Sequence, residues 1–239
     1  MTFAGFGGHG SCPDEPGGVA GLGLALALVA IVVRSTGAAA ACDDATARHG
    51  FDDVAQWQAV FDDPKRDAWQ KPDALVAALG LSPGMTVADV GAGTGYLSRR
   101  LSVAVGERGS VLAVEPEPNL VAHLRARAER EGTANVVPIL ASFDNPRLPA
   151  RSVDVVLLLD TYHHIDDRRE YFRRVQDALE PGGRVVVVDF RKEDLPVGPP
   201  SDHKIAREQV ISEMTASGYA LASEPDVLPY QYFLVFQVR

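Results

Sequence analysis

The stretch VADVGAGTGYLS, residues 87–98, carries a strand end into a glycine-packed turn. Val87, Ala88 and Val90 have the apolar character of a buried strand, led in by LSPGMT. Gly91, Gly93 and Gly95 follow at every second position. Residues 96–105 then have helical spacing, with Tyr96, Leu97, Leu101 and Val105 on one broad face. Glycines at such a turn allow positive φ and a close approach of backbone to ligand. The helix behind them opens with N–H groups that have no partner in the helix. A strand, a glycine loop and a helix in this order form a nucleotide cradle.

The turn departs from the dinucleotide fingerprint G-x-G-x-x-G, which needs its third glycine at position 96. Tyr96 stands there, and the third glycine comes one residue early, at Gly95. Asp89 lies two residues before the first glycine. A carboxylate at that point suits a cationic ligand and repels a pyrophosphate. The turn therefore favours a charged, amino-acid-containing cofactor over NAD. Glu115, at the end of a second apolar run in GSVLAVEPEP, stands where such folds place an acceptor for ribose hydroxyls. NAD enzymes share that feature, so Glu115 does not discriminate between the two.

The stretches LSPGMTVADVGAGTGYLS, VLAVEPEPNL, SVDVVLLLDTYHHIDD and ALEPGGRVVVVDF occur in this order over the C-terminal two thirds of the chain. Together they resemble the class I S-adenosylmethionine-dependent methyltransferases, in the ubiquinone/menaquinone C-methyltransferase-like group of small-molecule enzymes. DPKRDAWQKPD, DHKI and LPYQYFLVF are similar to stretches in bacterial methyltransferases of unassigned substrate. The resemblance implies S-adenosyl-L-methionine as cofactor and in-line methyl transfer to a small molecule. It implies that Asp89, Gly91, Ala92, Gly93, Thr94, Gly95 and Tyr96 cradle the methionine end, and that Glu115 and Pro116 meet the ribose. Ser142 and Phe143 fall at the adenine edge, where many relatives carry an acid, and Asp160 faces the cofactor. Beyond it, Tyr162, His163 and His164 are the catalytic candidates, a histidine being a base near neutral pH. Adjacent histidines on a loop rarely converge on one ion, so no metal is expected. Two rival functions are a non-catalytic S-adenosylmethionine-binding protein on the same fold and an NAD-dependent oxidoreductase.

The 239 residues allow one sizeable domain. A net charge of −9 makes the chain a poor ligand for a phosphate backbone, so no nucleic-acid partner is expected. Its two cysteines, Cys12 and Cys42, precede the domain and supply neither a disulfide framework nor a thiolate site within it. Three regions are expected: a hydrophobic signal or anchor over 1–42, a linker and helical cap over 43–71, and the methyltransferase domain over 72–239.

The first of these contains 17 uncharged residues, 17–33, which as a helix would span about 25 Å. The small residues after it fit a signal cleavage region, and Ala39, Ala40 and Ala41 before Cys42 resemble a degenerate lipoprotein box. These features point to a membrane-associated or exported protein, held only through its N-terminal segment. Against export, residues 1–16 have no Lys or Arg, and the first basic residue, Arg34, follows the apolar run, favouring a cytoplasmic domain. A natural start further in is the third alternative.

Strands are expected over residues 86–90, 110–115, 136–140, 153–159 and 184–189, with a closing hairpin from YALASEPDVLP and YQYFLVFQV. Helices are expected over 168–179 and 203–217. Arg168, Arg169, Arg173 and Arg174 are read as a solvated helix face, Trp69 as structural, and Asp202, His203 and Lys204 as a helix start or an anion site. The alternation predicts an α/β fold with a mainly parallel sheet covered by helices on both faces. The resemblance makes it Rossmann-like, seven-stranded, with an antiparallel last strand.

Overall fold

β1 (Thr86–Val90), β4 (Val153–Leu159) and β5 (Leu179–Phe190) are rich in valine and leucine, because they run through the middle of a sheet buried on both faces. The computed structural model describes residues 53–239. The apolar run at 17–33 and the small-residue stretch up to Cys42 lie outside them. Among the described residues no helix is long and apolar enough to cross a membrane.

β2 (Ser110–Glu115), β3 (Val136–Leu140), β6 (Tyr219–Ser223) and β7 (Gln231–Val238) complete seven strands in the order β3-β2-β1-β4-β5-β7-β6. Pairing is parallel from β3 through β5, and β7 runs antiparallel to both β5 and β6. One face packs Val87, Val111, Val155 and Val186 against α3 (Pro72–Ala78), α4 (Ser98–Val105) and α5 (Pro118–Glu131). The other packs Ala88, Val156, Val185 and Val187 against α6 (Arg168–Ala178) and α7 (Arg207–Ala216). The order reverses at β1, between β2 and β4. In open α/β sheets the crevice beyond the carboxyl ends at such a point receives the ligand.

Three boundaries differ from expectation. Tyr96 and Leu97 are buried on the expected apolar face but precede the helix, which starts at Ser98. β5 begins at Leu179 rather than Arg184, because Val153 pairs with Leu179 ahead of a bulge. The helix expected over 203–217 starts at Arg207. Lys204 is extended and buried, its ammonium donating to the Glu193 carbonyl at 2.7 Å. Lys204 is thereby committed to closing the Pro-rich segment before it.

Candidate active site

The glycine loop is fastened to the end of β2. The Gly91 and Ala92 N–H groups donate to the Val114 carbonyl at 2.8 and 3.1 Å. The Gly93 N–H donates to Glu115 Oε2 at 2.9 Å, and the Glu117 N–H to Glu115 Oε1 at 3.1 Å. Glu115 is only 5% exposed, and burial pushes its carboxyl up to about 7 against the pull of those two N–H groups. Asp89 is 3% exposed, and burial raises it to about 6 even though the Ser98 hydroxyl donates to it at 2.6 Å. An ionised carboxylate has roughly four acceptor sites, so both retain capacity for a ligand.

The three glycines serve different purposes. Gly91, at φ +74°, lies against Thr161, whose Oγ1 would be 2.3 Å from any Cβ added there. Gly95 gives room to Leu124 of α5. Gly93, at φ +56°, faces the ring of Phe61, 3.4 Å from a notional Cβ. Phe61 ends α1 (Val54–Phe61), the first helix of a cap that continues through a 3-10 turn, Pro64–Arg66, into α2 (Asp67–Gln70).

The cap claims two residues expected to meet the cofactor. The Thr94 hydroxyl donates to Asp62 at 3.2 Å. Arg127 of α5 donates to Asp62 at 2.7 Å and to the Thr94 carbonyl at 2.9 Å. The Tyr96 hydroxyl donates to Asp67 at 2.6 Å, and the guanidinium groups of Arg66 and Arg100 both lie against its ring. The side chains of Thr94 and Tyr96 therefore anchor the cap, because buried hydroxyls take the nearest acceptor. The N–H groups of Gly91, Ala92 and Gly93 are held instead by Val114 and Glu115 at the end of β2.

A closed ring of four side chains fastens the other end of the cap. Arg66 donates to Asp160 at 3.4 Å and to Gln70 at 3.1 Å. Gln70 donates to Gln231 at 2.6 Å, and Gln231 to Asp160 at 2.6 Å. DPKRDAWQKPD and LPYQYFLVF thus meet through Gln70 and Gln231. Asp160 holds φ +54°, uncommon for a residue with a side chain, and the ring keeps it there. Burial and the nearby Asp189 carboxylate raise its pKa above the ordinary range. Trp69 packs on Phe190, a structural role.

The three catalytic candidates separate. Tyr162 is fully buried, its ring stacked on Phe172 and its hydroxyl donating to Glu213 at 2.7 Å. Burial and Glu213 push that hydroxyl far above its ordinary pKa, and its side chain belongs to the core rather than to the crevice. His163 is 7% exposed, with Nδ1 2.9 Å from Asp189 Oδ2, and His164 lies ring to ring with it at 4.1 Å. Burial lowers the His163 pKa, but the Asp189 and Asp160 carboxylates outweigh it and hold the imidazole above its ordinary value. Arg168 is not a solvated residue: it bonds the Tyr162 carbonyl at 3.2 Å and faces Glu213 at 3.5 Å.

Ser142 donates to Asp144 at 2.7 Å in the turn after β3 that also holds Phe143. The preceding Ala141 N–H meets the Glu115 carbonyl at 3.0 Å, which places this turn beside Glu115 and Pro116. Sequence reasoning missed Asp62, Arg127, Gln70, Gln231 and Asp189 as parts of the site. Only Asp189 had a local signal, as an acid closing an apolar strand in RVVVVDF.

Fold and site define a doubly wound α/β domain with a glycine-lined cradle and two buried carboxylates at its switch point. Residues 87–183 match the family model described as methyltransferase domain. The chain is 28% identical over 123 residues to the ubiquinone/menaquinone biosynthesis C-methyltransferase UbiE of Shewanella frigidimarina, covering 51% of this chain and 48% of that protein. It spans about half the length of the curated relatives it matches first. A SAM-dependent methyltransferase from Aquifex aeolicus superposes with a TM-score of 0.74 at 24% identity, over 78% of this chain and 99% of that one. The [4+2]-cyclase SpnF shares the fold at a TM-score of 0.56 and 23% identity, over 66% of this chain and 59% of that one. Residues 87–183 thus match a methyltransferase domain, and the chain is similar in sequence and in fold to S-adenosylmethionine-dependent methyltransferases.

The residues present fit that cofactor. Glu115 is a buried carboxylate with spare acceptor sites where a ribose diol needs one. Asp89 is a buried carboxylate whose one hydrogen-bond partner among the described residues is Ser98, which leaves its charge available to a cation.

Proposed function

We propose that the protein transfers a methyl group from S-adenosylmethionine to a small-molecule acceptor. The observation that carries this reading is the pair of buried carboxylates, Asp89 and Glu115, flanking a glycine loop held open at positive φ. When bound, the sulfonium supplies a methyl group already activated for in-line displacement. Glu115 accepts the ribose hydroxyls, and Asp89 offsets the positive charge of the methionine end. The loop backbone at residues 91–93 approaches closely because it carries only one methyl side chain. The cap excludes water, with Phe61 over Gly93 and Asp62 bolted between Thr94 and Arg127. The overall negative charge and the carboxylates in the crevice favour a neutral or cationic acceptor over nucleic acid.

Calorimetric titration of the full chain with S-adenosylmethionine, S-adenosylhomocysteine and NAD tests the cofactor, and its pH dependence tests the site. Asp89 near 6 and Glu115 near 7 are partly protonated in the unliganded protein below neutrality. The cation and the diol favour the ionised forms, so binding releases protons. Affinity then rises from pH 5.5 to 7.5 by up to about tenfold per unit for each linked group, and flattens above. Stability of the unliganded protein runs the other way. Carboxyls raised in the folded state hold more protons than in the unfolded chain. Their contribution is therefore full below about pH 4 and declines as pH rises through 6 to 7. Tighter binding of NAD, or pH-independent affinity, rejects the assignment.

We further propose membrane association through residues 17–42, supported by the uncharged run at 17–33 and the basic Arg34 that follows it. The expected result is sedimentation of the full chain with membranes and release on deletion of 17–42. Recovery of the full chain in the soluble fraction rejects it.

A further inference from the structure

His163 and Asp189 stand at the carboxyl ends of neighbouring strands, β4 and β5, on the side of β1 away from Glu115. The segment after β4 reaches the glycine loop directly, since Thr161, two residues before His163, is packed against Gly91. The segment that carries His163 therefore borders the crevice from the side opposite the ribose acceptor.

The Asp189 carboxylate is held at both oxygens. Oδ2 faces His163 Nδ1 at 2.9 Å, and Oδ1 accepts the Phe190 N–H at 2.8 Å. A carboxylate only accepts, so the hydrogen between it and His163 sits on Nδ1. In the neutral ring the lone pair is then on Nε2. Nε2 has no hydrogen bond among the described residues, and it is not among their sealed, unpartnered atoms. The other charged groups facing the pair are Asp160 from the end of β4, Arg168 from α6 and Lys204 from the segment before α7. Arg66 of the cap is paired with Asp160, His164 lies against the ring, and the phenol of Tyr232 on β7 lies near Asp189. Two carboxylates beside one imidazole stabilise the imidazolium formed when Nε2 takes a proton.

We infer that Asp189 is a positioning residue that presents His163 Nε2 as a proton acceptor, and that the methyl acceptor is a compound that loses a proton on methylation: an O–H, an N–H or an acidic C–H. This rests on the methyl-transfer reading above. As the acceptor's electron pair forms the bond to the methyl carbon, the carbon–sulfur bond breaks and its electrons go to sulfur. The acceptor's own proton passes to Nε2, Asp189 balances the imidazolium, and the proton leaves to water after product release. Acceptors with no proton to lose, such as thioethers and tertiary amines, gain nothing from this base.

The test has two arms on the full chain. Nitrogen-15 spectra of labelled histidine are expected to show His163 as the Nδ1–H tautomer. Asp189→Asn, whose amide donates where the carboxylate accepted, is expected to convert it to Nε2–H while S-adenosylhomocysteine still binds within twofold. The second arm follows S-adenosylhomocysteine release with phenols, 1,3-diketones, primary amines, thioethers and tertiary amines. Turnover is expected only on the protic members, with kcat/KM falling as pH drops through the His163 titration. Asp189→Asn should lower kcat by at least 100-fold with KM little changed, and Asp189→Glu should restore part of it. An Nε2–H tautomer in the native protein, turnover confined to thioethers or tertiary amines, binding without turnover of any protic acceptor, or an Asp189→Asn kcat within twofold each overturns the proposal. Failure of the native chain to bind S-adenosylhomocysteine removes the methyl-transfer reading itself and the base with it. The tautomer measurement then still decides whether Asp189 orients the ring.

Discussion

Gly91→Ala is expected to destabilise the protein by roughly 2–4 kcal/mol, from overpacking and backbone strain together. The added methyl would stand 2.3 Å from Thr161 Oγ1 and 2.6 Å from Thr161 Cγ2, at a φ of +74° that side chains rarely adopt. Neither atom is the end of a long flexible chain, so the segment after β4 must move, and it carries Asp160 and His163. For a domain of this size the loss corresponds to a fall in melting temperature on the order of 10 °C. Cofactor binding should fall with it, because the movement widens the crevice at the switch point. Thr161→Ala relieves two of the three close contacts. The double variant Gly91→Ala/Thr161→Ala should therefore recover at least about 1 kcal/mol relative to additivity. Strictly additive losses in urea unfolding would sink this account of the contact.

Arg127→Met keeps the length of the side chain and removes its charge. It should release the cap. Arg127 holds Asp62 at 2.7 Å, the Thr94 carbonyl at 2.9 Å and Glu131 at 2.9 Å, and both ends of the Asp62 pair are largely buried. Removing one partner leaves a largely buried carboxylate with the Thr94 hydroxyl as its remaining hydrogen-bond donor among the described residues. Breaking a buried pair in this way costs about 3–5 kcal/mol, here discounted to roughly 3 because Asp62 keeps some contact with water. The loss should concentrate in the cap. Limited proteolysis should cut within residues 53–71 of the variant while the sheet survives, and cofactor affinity should drop roughly tenfold as water enters the site. Arg127→Lys keeps the charge but not the forked geometry, and should fall between the two. Native protease resistance in Arg127→Met would show that the cap docks by other means.

The legible parts of the fold were those written in local patterns. Runs such as VDVVLLL and RVVVVDF announce strands buried on both faces, and their alternation with amphipathic helices leaves little choice but a doubly wound sheet. The glycine spacing and the acids at 89 and 115 announced a cofactor cradle. Local pattern misled where a side chain had a remote use. Lys204 reads as a helix start until Glu193 takes its ammonium. Tyr162 reads as a crevice residue until Phe172 and Glu213 claim it. Thr94 and Tyr96 read as cofactor contacts until Asp62 and Asp67 accept their hydroxyls.

By itself, the sequence determined the α/β class, the mainly parallel sheet with an antiparallel last strand through its family resemblance, and the glycine turn with its two acids. Each depends on residues close together along the chain, where periodicity and turn chemistry act directly. The tertiary structure decided what the side chains do once gathered. It brought Gln70 to Gln231 across 161 positions, Arg127 to Asp62 across 65 and Asp189 to His163 across 26. No local rule encodes those pairings. A buried polar group must find a partner wherever the fold supplies one, and only the folded chain determines which partner is near.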